Sequence, residues 1–142
     1  MGLLDDYTGI GMSPRPKWKH QNVIRHALRF TYDELEQQGL FMLSEATVTD
    51  DWEDLAPDLV IFNEHYEPLS IIEITTHKEC KKIIKKCKEL ICRFPETEFF
   101  VYDYEQGALY AYDAEFNEWI TGDDLGSAFL SYPLLHYMEN GL

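Results

Sequence analysis

The chain has 142 residues, which suits one domain built around one hydrophobic core. Its hydrophobic share of 45% and aromatic share of 14% exclude global disorder. Asp and Glu number 26 against 12 Lys and Arg, and the net charge of −14 excludes a protein that coats nucleic acid with its whole surface.

In chain order, residues 1–17 carry Gly2, Gly9, Gly11, Pro14 and Pro16 and read as an irregular arm ahead of a single domain at 18–142. No charged-then-apolar leader opens the sequence, and no apolar run approaches ~20 residues, so neither a signal peptide nor a membrane span is expected. Residues 18–38 repeat Ile24, Ala27, Leu28, Thr31 and Leu35 at helical spacing, and Gly39 supplies a stop. Residues 40–48 read as a strand and 49–56 as an acidic loop. Residues 58–62 and 69–75 are two apolar strands around an Asn63–Pro68 turn, a predicted hairpin. A helix is predicted over 76–93, with Cys80, Ile83, Ile84, Cys87, Leu90 and Ile91 on one stripe and Pro95 beyond its end.

Residues 97–103 form the next strand, and the strand–helix–strand passage implies a parallel crossover. Gly107 turns the chain into a strand at 108–113, followed by a short strand at 117–120 and a closing helix at 127–139 that Pro133 interrupts. This order predicts an α/β fold, a mixed sheet with a helix on each face. The cysteines at 80 and 87 would be separated by a rise of ~10.5 Å on their helix, too far for a disulfide. Reduced thiols and an odd cysteine count fit a cytoplasmic protein. The five histidines show no i, i+3 or i, i+4 pair, so no zinc site is expected; His77 is the nearest of them to Glu73. Tyr102, Tyr104, Tyr110 and Tyr112 alternate on adjacent strands, and cross-strand packing explains them better than base stacking.

The chemistry concentrates on the hairpin. Asp58 opens its first strand and Glu73 lies near the end of its second, so antiparallel pairing can bring both to one face. Glu73 sits inside the apolar run Ile71-Ile72-Glu73-Ile74, where a carboxylate needs a partner. Two converging carboxylates repel unless a cation joins them, and hard oxygen ligands suit Mg²⁺ or Mn²⁺. Such an ion activates water and stabilises a pentacovalent phosphate. Glu45 is a third possible ligand, although strand alternation alone would also place it outward. Lys78, Lys81, Lys82, Lys85, Lys86 and Lys88 hold half of the positive charge on one helix. They read either as a solvated helix face or as a ridge that contacts a nucleic-acid backbone beside Glu73.

Asp58, a hairpin turn and Glu73-Ile74-Thr75 resemble the PD-(D/E)XK nuclease signature, with Thr75 where the lysine of the motif stands. The element order resembles the αβββαβ core of that restriction-endonuclease-like superfamily. More narrowly, the chain is similar to the restriction-endonuclease family expanded in cyanobacteria. The matching pieces are Pro57-Asp58-Leu59-Val60, Ile72-Glu73-Ile74, Phe94-Pro95-Glu96 and Phe99 through Asp103, with His20-Gln21 and Ser131 through Leu135 as weaker echoes. The resemblance implies a divalent-metal-dependent endonuclease acting on DNA. Asp58, Glu73 and Glu45 would serve at Mg²⁺ or Mn²⁺, and a lysine of the 78–86 segment, Lys78 or Lys82, would assist. The narrower family carries a lysine on the helix, and the register from Glu73 puts Cys87 there, flanked by Lys86 and Lys88. The alternative is a degenerate nuclease-fold protein that serves as a binding or regulatory module. DNA at the basic helix and a homodimer are the expected partners; no membrane is, and any protein partner is unidentified.

Overall fold

The computed structural model describes residues 18–51 and 53–140. The predicted arm at 1–17 lies outside the described residues. Helix α1 (Trp18–Glu36) buries Ile24, Ala27, Thr31 and Leu35 on one stripe. The threonine is tolerated there because its hydroxyl donates to the Ala27 carbonyl at 2.6 Å. Gly39, at φ 74°, ends the helix in a Schellman turn. The Leu40 N–H returns to the Leu35 carbonyl at 2.9 Å and the Gly39 N–H to that of Glu36 at 3.0 Å.

Six strands follow: β1 (Phe41–Ser44), β2 (Leu59–Phe62), β3 (Pro68–Thr75), β4 (Glu98–Asp103), β5 (Ala108–Asp113) and β6 (Glu118–Thr121). They form one sheet in the order β1-β2-β3-β4-β5-β6. Every neighbouring pair is antiparallel except β3 and β4, which are parallel and joined by helix α2 (Cys80–Arg93). The α/β class and the element order are as the sequence predicts.

Alternation along the central strands divides the core between the two faces. Leu59, Ile61, Ile72, Ile74, Phe100 and Tyr102 pack with Ile24, Ala27 and Leu35 of α1 and with Leu130, Leu134, Tyr137 and Met138 of the C-terminal segment. Val60, Phe62, Ile71 and Phe99 pack with Leu90, and Val101 with Cys80 and Cys87, all three from α2. Glu73 and Thr75 follow Ile71 by steps of two, which places them on the α2 face.

Three boundaries differ from the sequence reading. The strand predicted to Val48 stops at Ser44, because Glu45 takes a left-handed φ of 54°. Helix α2 begins at Cys80 and not at Thr76. The 76–79 turn is instead tied to the β4–β5 turn: the His77 N–H donates to Glu105 at 3.0 Å, and His77 Nδ1 meets Asp103 Oδ2 at 2.8 Å. The predicted closing helix is reduced to a π-helical turn, His136–Asn140, after a short lead-in at Leu134. Residues 127–131 are held instead by carboxylates, with Glu98 accepting from Ser127 and Ala128 and Glu34 from Ser131. The acidic loop is pinned to α2 by a two-pronged Arg93–Asp54 pair at 2.8 Å for each bond.

Ile72 is fully buried at the centre of β3, between strands on both sides. Ile72→Ala is expected to cost ~2–5 kcal/mol, measured as a lower urea midpoint at unchanged slope.

Candidate active site

The β2–β3 pairing sets the geometry of the site. Leu59 pairs with Ile72, and the next step of the antiparallel register sets Asp58 opposite Glu73. The Asp58 N–H donates to Glu73 Oε1 at 3.1 Å, and the Ile74 N–H donates to Asp58 Oδ2 at 2.8 Å. Each carboxyl therefore has one oxygen bound to the backbone of the opposite strand. The two side chains are also within hydrogen-bonding reach of each other.

A third group comes from α1. His20 Nε2 lies 3.4 Å from Asp58 Oδ1, with 21% of each side chain exposed. The electrostatics of the trio are asymmetric. Burial and the Asp58 charge push Glu73 up to about 7. Burial acts on Asp58 in the same direction, but the His20 hydrogen bond and the Ile74 amide outweigh it and hold Asp58 below the ordinary carboxylate value. The Asp58 hydrogen bond raises the His20 imidazole against the effect of its own burial.

These residues line a cavity of about 550 Å³. Its floor is the end of β3, including Glu73 and Thr75. One wall is the start of α2 and the turn before it, with Lys78, Glu79, Ile83 and Lys86, and the opposite wall carries His20, Gln21 and Tyr104. Glu45 lines the same cavity, because its left-handed backbone takes it out of the β1 alternation. Among the described residues no group of three or more His, Cys, Asp and Glu is gathered closely enough to hold an ion.

The lysines separate in the same way. Lys78 and Lys86 line the cavity, and the Lys86 charge acts on Glu73, lowering it slightly against the dominant burial. Lys82 does not line the cavity; it is exposed and sits 3.8 Å from Glu79. Cys87 is buried behind Glu73, and burial with the Glu73 charge pushes its thiol up to about 12, which leaves it unreactive. Thr75 shares the cavity floor with Glu73 but carries no charge, and its hydroxyl donates to the Thr76 carbonyl at 3.1 Å.

His20 and Tyr104 are the residues that sequence reasoning passed over. His20 appears there only as a weak motif echo. Tyr104 was grouped with the strand tyrosines, whereas its ring lies edge-on to His20 at 6.3 Å on the cavity wall.

No protein-family model and no curated protein matches the chain. A crystal structure of a candidate nuclease belonging to DUF820 from Anabaena variabilis ATCC 29413 is similar, with a TM-score of 0.66 and 15% sequence identity. The alignment covers 96% of this chain and 90% of that one. The structure of D212, a nuclease from a fusselovirus, aligns at a TM-score of 0.40 and 15% identity over 74% of this chain and 71% of its own. The first likeness shows a shared fold: the chain has the same mixed α/β architecture, here with a six-stranded sheet. Among the described residues no helix is long and apolar enough to cross a membrane.

The Glu73 shift has a measurable consequence. The native state keeps this proton up to about pH 7, whereas the unfolded chain releases it near the ordinary value of 4.5, so stability falls as pH rises through that window. Glu73→Gln is therefore expected to stabilise the protein by about 1–2 kcal/mol at pH 8, roughly 3–6 °C in Tm. Below pH 4.5 it should change little. Thermal unfolding followed by circular dichroism at both pH values checks this.

Proposed function

We propose that this protein is a divalent-metal-dependent nuclease that hydrolyses DNA phosphodiester bonds. The observation that carries the reading is the contact of Asp58 and Glu73 in one cavity, with a lysine from α2 on its wall. The nuclease candidate that shares the fold supports the same direction.

The donor set fits Mg²⁺ or Mn²⁺. Mg²⁺ typically takes one or two protein carboxylates and keeps several waters, and Glu73 is raised by burial and by the neighbouring Asp58 charge, both of which a cation would offset. Asp58 and Glu73 would hold the ion, whose chemistry is to lower the pKa of a bound water and to balance charge on phosphorus.

The protein's own groups have separable tasks. The Ile74 and Asp58 amides fix the two carboxylates against the sheet. His20 orients Asp58 from α1. Lys86, whose charge already acts on Glu73, would meet the developing phosphate charge, and Lys78 lines the same cavity. Thr75 occupies the position from which a lysine of the nuclease motif would reach the phosphate. One missing electrostatic stabiliser of that kind costs ~10²–10³ in rate. That absence favours the second reading, a decayed site in a binding or regulatory module, unless Lys86 supplies the charge.

Calorimetric titration with Mn²⁺ is expected to show one site that Asp58→Ala and Glu73→Ala each remove. Equal heats in all three proteins would sink the metal assignment. On plasmid DNA with Mn²⁺, Lys86→Ala is expected to lower cleavage ~10²-fold or more, with Lys81→Ala near wild type. If the wild type is inert and Thr75→Lys gains cleavage, the site is decayed but its carboxylates are intact.

A further inference from the structure

We infer that the site takes single-stranded DNA, with its phosphates laid along a lysine row formed by α2 and the turn before it and a base against the His20–Tyr104 wall. The inference deepens the nuclease reading by naming the form of the substrate, and it rests on that reading.

Charge distribution gives the first argument. Six of the 12 Lys and Arg lie between residues 78 and 88, in a chain of net charge −14. All six are exposed, and among the described residues only Lys82 has an ion-pair partner, the loose contact with Glu79. They fall into two rows. Lys78, Lys82 and Lys86 repeat at intervals of four, and the first and last of them line the cavity. Lys81, Lys85 and Lys88 lie on the other flank of the helix. Lys82 and Lys86 stand one above the other on α2, about 6 Å apart along its axis, and Lys78 lies in the turn that leads into the helix. The first row is therefore a short cationic track that passes the carboxylates, long enough for two or three phosphates of one strand.

A duplex fits this surface poorly. It carries one charge per ~1.7 Å of axis over two strands, and only one strand could follow the row. Its partner would face the acidic remainder of the molecule. The carboxylates are also recessed: Asp58 and Glu73 are only partly exposed at the floor of the cavity. A flexible strand can bend a phosphate down to them, whereas a stacked duplex holds its phosphates on a stiff cylinder.

The second argument is aromatic. Proteins that hold single strands pair a basic groove with rings on which bases stack. Here the wall opposite the lysine row carries the His20 imidazole and the Tyr104 phenol ring. Phosphates on one side and a base on the other is an arrangement that only an unpaired nucleotide can satisfy.

The test is fluorescence anisotropy with labelled oligothymidine and with a hairpin duplex of equal charge, in EDTA and again with Ca²⁺. Binding to the single strand should be at least about tenfold tighter. Its log–log salt slope should be near −2, since each phosphate contact to a single strand contributes about −0.7. Replacing Lys78, Lys82 and Lys86 together by Ala should weaken binding at least tenfold and flatten the slope. The matched replacement of Lys81, Lys85 and Lys88 should have less than a third of that effect. Tyr104→Leu should weaken single-strand binding about fivefold or more, with Tyr104→Phe restoring it. Equal affinity for duplex and single strand would overturn the inference, as would equal losses from the two triple replacements, and either result leaves metal-dependent hydrolysis intact. Row-dependent binding of single strands without cleavage of any substrate would remove the nuclease reading instead.

Discussion

Two carboxylates that repel each other are held together by the backbone between them. Asp58 and Glu73 meet because β2 and β3 pair in a register that sets them opposite each other. They stay there because each accepts an N–H from the neighbouring strand, at 2.8 and 3.1 Å. The amides offset part of the repulsion, and His20 offsets more on the Asp58 side. Glu73 carries what remains on top of its own burial, and the two together, burial first, hold its proton to about pH 7. A carboxylate pair held in this way costs stability once both groups are ionised.

The rest of the fold serves that contact. The parallel β3–β4 pairing needs a crossover, and α2 is that crossover. Its return path carries Lys78, Glu79 and Lys86 past the end of β3. The buried Asp103, at the end of β4, holds the turn before α2 through His77 and caps its own turn through the Glu105 and Gln106 amides. This clamp sets where α2 begins, and so which lysines face the cavity. On the other face, the Ile24–Ala27–Leu35 stripe fixes the rotation of α1 against the sheet. That rotation brings His20, four residues ahead of Ile24, to the rim on the same side as the carboxylates.

The lysines show how far local pattern reaches. The sequence puts six lysines on one predicted helix, and the family resemblance singles out Lys78 and Lys82 for the chemistry. The structure places Lys78 and Lys86 at the cavity and leaves Lys82 in solvent beside Glu79. A row four residues apart is visible in the sequence, but which edge of the row faces inward depends on where the helix starts. That start was misplaced by four residues, because the His77–Asp103 tie joins residues 26 apart. Glu45 is a similar case. Its strand was legible, but its left-handed backbone, which puts it on the cavity lining, was not.

By itself, then, the sequence determined the elements from α1 to β6 in kind and order, the α/β class and the facing of Asp58 and Glu73. Each of these rests on short-range rules: periods of 3.6 and 2, turn residues, and the register of one tight hairpin. The tertiary structure alone decided the company those carboxylates keep. His20, Lys86 and Tyr104 come from two helices and a turn that are distant in the chain. They meet at the site only because buried side chains on both faces of the sheet set the rotation and height of those elements, a packing outcome that no local periodicity contains.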